Sequence, residues 1–243
     1  AGSAISLAGG NLTVYPDGSW ALTGQPFTPG IYTFDYQIGN IAGTSTATVT
    51  LVIQDPPIAQ KDSLSMNINE MTTLAAGTLF NDNGFGADHP GTPSAAVASF
   101  GGGTLGGDET SYVQGSTQVF AGGNITVNAD GSLTMDNPTM EGNYTFSYRL
   151  VNTSGFSNAE VVISILSIPV AQDDQYEFLY TTDQNINSAS GLFAENGSGS
   201  DNLAFPAATL TSFGGGDLGG SVTDHVAGSA ISLAGGNLTV YPD

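Results

Sequence analysis

Through most of this chain apolar side chains return at every second position, and Gly, Asn, Asp or Pro breaks the alternation about every eight to twelve residues. Tyr144, Phe146, Tyr148 and Leu150 make one such run and Val161, Ile163 and Ile165 the next, while Tyr32, Phe34, Tyr36 and Ile38 followed by Val49, Leu51 and Ile53 make a matching pair. Ile125/Val127 and Leu133/Met135 flank Asn128-Ala-Asp-Gly131, and Leu12/Val14 and Trp20/Leu22 flank Asp17-Gly18, so each pair predicts a hairpin with Asp-Gly at its tip. No stretch of about eleven residues carries an apolar stripe of helical period. The pattern therefore predicts an all-β chain of tandem immunoglobulin-like β-sandwich domains, each with about seven short antiparallel strands and one face turned inward. Trp20, at an apolar alternation position, is expected in a core.

The alternation is also written twice. Residues 227–243 read AGSAISLAGGNLTVYPD, as do residues 1–17, which gives a period of 226. Inside that period, Pro57 to Ile168 aligns with a composite of Pro169 to Asp243 followed by Gly18 to Pro56, units of 112 and 114 residues. Ile58-Ala-Gln-Lys-Asp62 answers Val170-Ala-Gln-Asp-Asp174, and Leu-Phe-x-acid-Asn-Gly-x-Gly-x-Asp occurs at 79–88 and 192–201. Ser99-Phe-Gly-Gly-Gly-Thr-Leu-Gly-Gly107 answers Ser212-Phe-Gly-Gly-Gly-Asp-Leu-Gly-Gly220. Two homologous sandwiches, A and B, are thus expected to alternate in a repeating polymer of which this chain is a window. Residues 1–56 form the C-terminal half of a B sandwich, 57–168 a complete A sandwich, and 169–243 the N-terminal half of the next B. The junctions Gln54-Asp-Pro-Pro57 and Ser167-Ile-Pro169 are short and proline-marked, so neighbouring domains are expected end to end with limited bending.

Charge narrows the partners. Lys61 and Arg149 are the only cationic residues beside 22 acids, for a formal charge of −20. Such a chain cannot displace counterions from nucleic-acid phosphate and is repelled by anionic membranes. It contains no cysteine, and a domain of this size buries enough apolar surface without disulfides. A secreted, cell-surface location is expected from the abundance of Gly, Ser, Thr, Asn and Asp and from the two tryptic sites alone. No leader, apolar membrane span or lipidation motif occurs, as expected of an internal window. Six Asn-x-Ser/Thr sequons, at Asn11, Asn124, Asn143, Asn152, Asn196 and Asn237, leave glycosylation open.

Catalysis has little footing, and the chain is not expected to be an enzyme. His89 and His225 fall at non-equivalent places in the two units, and there is no thiol to act as a nucleophile. The Phe-Gly-Gly-Gly segments lack the Lys-Ser/Thr of a phosphate loop.

The ordered set of motifs resembles the bacterial cadherin-like and VCBS-type immunoglobulin-like repeats of large extracellular adhesins and surface fibres. The likeness is carried by Pro-x-Ala-x-Asp-Asp at the domain start, the Asn/Asp-rich turn after Leu-Phe, the Asn-Ala-Asp-Gly-Ser hairpin, the Gly-x-Tyr-Thr-Phe-x-Tyr strand and the final Ala-x-Val-x-Ile strand. The resemblance implies calcium at acidic loops near domain junctions, a hard ion that takes six to eight oxygens. The matching residues are Asp173, Asp174, Glu195, Asn196 and Asp201 in unit B, and Asp62, Asp82, Asn83 and Asp88 in unit A. In A, Lys61 replaces the first acid of the opening pair, so its ammonium could stand in the cation's place. The expected role is a spacer or filament of tandem β-sandwiches whose partners are neighbouring repeats of the same chain or identical chains in a fibre. Any cell-surface or glycan ligand would lie elsewhere in the parent protein. Two other readings stay open: a subunit that polymerises by strand exchange across the split domain, and a glycan- or protein-binding adhesin module.

Overall fold

The computed structural model of the protein describes residues 2–242, and it is all-β, with four single-turn 3-10 segments between strands. It divides into two compact units, 1–164 and 165–243, each described by itself below.

The first unit opens with β1 (Ile5–Leu7), β2 (Gly10–Val14) and β3 (Trp20–Thr23), which pair in that order as a three-stranded antiparallel sheet. β4 (Gly30–Asn40) and β5 (Gly43–Ile53) follow as a long hairpin, paired from Gly30 opposite Ile53 to Asn40 opposite Gly43, and hydrogen-bonded to no further strand.

The rest of this unit is the A sandwich. Its strands are β6 (Asp62–Asn67), β7 (Thr72–Leu74), β8 (Ala96–Gly101), β9 (Tyr112–Val113), β10 (Thr117–Phe120), β11 (Gly123–Val127), β12 (Leu133–Asp136), β13 (Gly142–Asn152) and β14 (Gly155–Leu166). They form a four-stranded sheet in the order β10-β11-β12-β7 and a five-stranded sheet in the order β6-β14-β13-β8-β9. The period-two pattern explains the layering. Ile125, Val127, Leu133 and Met135 point inward from one sheet, and Phe100, Phe146, Tyr148, Leu150, Val161, Ile163 and Ile165 from the other, all buried. Phe120 on β10 meets Phe146 on β13 edge-on at 6.0 Å between ring centres, so the two sheets share one core. This is the immunoglobulin-like two-sheet layout that the alternation predicts, with nine strands instead of seven because two short ones, β7 and β9, extend the sheet edges. The β11–β12 hairpin turns as expected: Asn128 N–H donates to Ser132 O (3.0 Å), Asp130 caps Ser132 N–H, and Gly131 takes φ 74°, which its missing Cβ permits.

The second unit holds β15 (Ser212–Phe213), β16 (His225–Val226), β17 (Ala230–Leu233) and β18 (Gly236–Thr239), in two separate two-stranded sheets. It retraces several backbone bonds of the N-terminal part of the A sandwich. Val170 bridges Asn202 as Ile58 bridges His89, Ala208 N–H donates to Leu203 O as Ala95 does to Pro90 O, and Gly228 N–H donates to Val240 O as Gly115 does to Val127 O. What differs is strand content. β8 runs over six residues, whereas its counterpart β15 has two. β6 is a full strand, whereas its counterpart at 174–179 keeps only the Asp174–Gly197 bridge. In A both strands are held by the β13–β14 hairpin lying between them. Without that neighbour, the same sequence pattern has no ladder to join.

Candidate functional site

The acidic loops of A converge on a tyrosine. Asp62 opens β6 and is only 1% exposed, and Asp88 closes the loop after the Thr78–Phe80 turn and is also buried. Backbone N–H of Gln60 donates to Asp88 Oδ1 at 2.6 Å, and the Tyr148 hydroxyl donates to Asp88 Oδ2 at 2.7 Å with the carbonyls of Gln60 and Leu79 each 3.2 Å away. Asn83 Nδ2 donates to Asp62 Oδ1 and to Thr78 O, both at 2.7 Å. Asp62 Oδ2 is buried with no partner. One hydroxyl proton and one amide therefore serve a surplus of buried oxygens. Burial pushes the Asp62 carboxyl up to about 6, against the pull of the Asn83 hydrogen bond and with help from the Asp88 charge. Burial raises Asp88 too, against the hydrogen bonds from Gln60 and Tyr148, and burial and the Asp88 bond hold the Tyr148 phenol protonated.

Of the four residues expected to cooperate in A, the structure brings together Asp62, Asn83 and Asp88 but not Asp82. Asp82 is exposed and folds its own loop, accepting from Gly84 N–H (3.0 Å) and Gly86 N–H (2.9 Å), which lowers its carboxyl below the usual range. Lys61 does not stand in for a cation: its Nζ lies 2.6 Å from Glu160 Oε1 and over the Phe85 ring. Arg149 is also engaged on the surface, with Glu109 at 2.9 Å, Asn158 at 2.9 Å and the Phe156 ring beneath it. His89 pairs with Asp55 at 2.6 Å, and the bond lowers the Asp55 carboxyl.

In the second unit Asp201 Oδ1 accepts from Gln172 N–H at 2.7 Å, the counterpart of Asp88 with Gln60. Asp174 Oδ1 is buried without a partner, and its carboxyl is raised by burial and by the charges of Asp201 and Asp173. Asn196 keeps the counterpart of the Asn83–Thr78 bond, donating to Gly191 O (2.6 Å), but turns from the acid to Tyr176 Oη (2.8 Å) and Ser190 O (3.1 Å), and Asp173 and Glu195 are exposed. Among the described residues no three His, Cys, Asp or Glu side chains group so as to hold a metal ion. In A the two buried carboxylates are engaged with Gln60, Asn83 and Tyr148. In B half of the equivalent arrangement is present within the unit.

Tyr148 is the member that the sequence pattern leaves among the core aromatics. A signal for it exists: the inward position it fills would accept Phe for packing, as Phe146 shows, so a tyrosine there implies buried partners for its hydroxyl. Its counterpart in unit B is Tyr36, which stands on the lone β4–β5 hairpin.

The second unit also carries an open groove of about 1020 Å³ with a mixed lining, in which Tyr176, Phe178, Leu192, Leu210, Leu238 and Val240 stand beside polar residues such as Asp183 and Asn187. Met66, Leu79, Val97, Ile125 and Val127, the A counterparts of Phe178, Leu192, Leu210, Leu238 and Val240, are all buried. The groove thus aligns in sequence with residues that line the A core. The same holds for the β4–β5 hairpin. Phe34, Tyr36, Ile38, Val49, Leu51 and Ile53 match Phe146, Tyr148, Leu150, Val161, Ile163 and Ile165, yet Tyr36 is 43% and Ile38 63% exposed. Trp20, expected in a core, is 49% exposed on β3, whereas its counterpart Leu133 is buried because a second sheet covers it.

No protein-family model matches the chain, and no curated protein does. Among solved structures it is similar to an I-band fragment of titin (17% identity, TM-score 0.33, 68% of this chain and 52% of that one). It is also similar to extracellular domains 3–5 of Drosophila OTK (14% identity, TM-score 0.31, 69% and 50%) and to an endo-fucoidan hydrolase of glycoside hydrolase family 107 (17% identity, TM-score 0.29, 67% and 27%). The chain spans about half the length of the titin fragment it matches. Among the described residues no helix is long and apolar enough to cross a membrane.

Proposed function

We propose that this chain is a structural segment of an extracellular fibre or surface stalk, in which A and B sandwiches alternate and each B sandwich is shared between successive 226-residue repeats. The observation that carries this reading is the complementarity of the two incomplete pieces. One presents the groove side of a sandwich core, the other presents the hairpin that fills the same groove in A, and their sequences join without gap or surplus through the shared 17 residues. At strands of five to ten residues and about 3.3 Å per residue, each sandwich adds about 40 Å, so a repeat advances about 80 Å if its domains are collinear.

The acidic surface suits such a role, since like-charged domains resist collapse onto one another. Calcium belongs to this reading in unit B, where Asp173, Asp174 and Asp201 repel one another and a cation would relieve them. In unit A the oxygens are gathered by the Tyr148 hydroxyl, the Asn83 amide and the Gln60 backbone instead.

The test is the mass of intact, fully denatured native material. Species many multiples of the 226-residue period support a tandem stalk. A single species near 24.6 kDa would overturn covalent repetition.

A further inference from the structure

The six Asn-x-Ser/Thr sequons are alike in sequence, and the fold makes them different. At Asn152 the side-chain amide is spent on structure: Nδ2 donates to Asp55 O (2.8 Å) and Pro93 O (2.9 Å), and Oδ1 accepts from Ser154 N–H (2.8 Å) and Gly155 N–H (3.1 Å). At Asn196, Nδ2 serves the three acceptors described above. An N-linked sugar replaces a hydrogen of Nδ2, so at either place it would break bonds that hold a loop. Asn143 is exposed, but Ser164 Oγ holds its Oδ1 at 2.8 Å and its counterpart in unit B is Ile31, so the two units do not share it.

The other three sequons are a single structural position. Asn237 is the copy of Asn11 within the repeated 17 residues, and Asn124 is the counterpart of both in A. Each follows a tight turn of one kind, Ala8-Gly9, Ala121-Gly122 or Ala234-Gly235, with both turn residues at positive φ. All three asparagines are exposed, and among the described residues none of their side chains makes a hydrogen bond. A second observation singles out this position in A. Asn124 stands opposite Val119 on one side and Asp136 on the other, and Val119, 78% exposed, lies on β10, an edge of its sheet. β10 reads Thr-Gln-Val-Phe and has neither the Lys nor the Pro that keeps an open edge from pairing with another chain.

We propose that Asn124 and Asn11, with its copy Asn237, are N-glycosylation sites, one on each sandwich, and that in A the oligosaccharide covers Val119 and the β10 edge. The donor class is a lipid-linked oligosaccharide phosphate, acted on by a transferase of the producing cell. Asparagine Nδ2 bonds to the anomeric carbon, the bond from that carbon to the phosphate oxygen breaks, the phosphate leaves with the electron pair, and the amide gives up one proton.

The test uses native material, unfolded and digested with chymotrypsin. Cleavage after Phe, Tyr and Leu puts Asn124, Asn152 and Asn196 on separate peptides, and Asn11 and Asn237 on one shared peptide sequence. Tandem mass spectrometry is expected to find sugar on asparagine in the Asn124 peptide and in the shared peptide, and bare asparagine at 152 and 196. Thr126→Val, introduced in the producing cell, should remove the sugar from Asn124 and leave it on the shared peptide, which also verifies that the variant chain is made and exported. Bare asparagine at 124 or on the shared peptide, equal occupancy at Asn152 and Asn196, or sugar that persists at Asn124 without the Thr126 hydroxyl overturns the proposal. Occupancy is read peptide by peptide, so the result is independent of the tandem-stalk reading, which the denatured mass decides.

Discussion

Asp62 makes the stability of the A sandwich depend on pH in the direction opposite to acids held ionised by hydrogen bonds. Its carboxyl is raised from 3.8 to about 6 by burial beside Asp88, so between these values the folded state holds a proton that the unfolded chain releases. The stabilisation is full below the unfolded value and is lost as pH rises through about 6. A difference of about two pH units corresponds to about 3 kcal/mol, most of it falling between pH 4 and 7. Asp88 acts in the same sense, while exposed Asp17, Asp82 and Asp130, whose carboxyls are lowered, lose their contribution only below about pH 4. The perturbation is Asp62→Asn, which keeps the shape and removes the charge. Urea unfolding at pH 4.5 and 7.5, in chelator and at low protein concentration, should show the variant gaining on the wild type by about 2 kcal/mol at the higher pH. An equal pH dependence in variant and wild type would refute the assignment of this charge to Asp62.

Tyr148→Phe should destabilise the A sandwich by about 1.5–3 kcal/mol, because it leaves the Asp88 carboxylate short of its shortest side-chain hydrogen bond; tyrosine near-UV circular dichroism during urea unfolding measures it. Phe146→Ala should cost about 3–5 kcal/mol in the same assay. Its counterpart Phe34→Ala should leave the A transition unchanged, since that ring lies on the β4–β5 hairpin outside the A sandwich. Millimolar calcium is expected to raise the melting temperature of the second unit in scanning calorimetry and to leave the A sandwich alone, with the response lost in Asp174→Asn.

Strands and hairpins were readable from the sequence because inward side chains recur two residues apart and the β2–β3 and β11–β12 turns carry Asp-Gly. The acidic set was half readable. Asp62, Asn83 and Asp88 meet because the loop returns to the strand start, but Asp82 satisfies its own loop backbone, and short-range turn chemistry of this kind looks identical to a ligand in a list of residues. Lys61 was placed by alignment alone, and its long side chain reaches Glu160 across the strand instead. Trp20 shows the remaining limit: alternation says which face a residue takes, and only the presence of an opposing sheet decides whether that face is dry.

The segment that leads into the A sandwich has a mechanical meaning. Asp55 and Thr92 exchange both backbone hydrogen bonds (3.1 and 3.2 Å), Ile58 and His89 do the same (2.8 and 2.9 Å), and Asn152 Nδ2 adds a bond to Asp55 O at 2.8 Å. These bonds lie across the direction of the chain, as in any antiparallel ladder. Tension applied through Gln54 would load them together in shear instead of peeling them one at a time. A pulled thread of such units should therefore hold to a high force and then yield abruptly, one domain entrance after another, giving a saw-tooth in single-molecule extension.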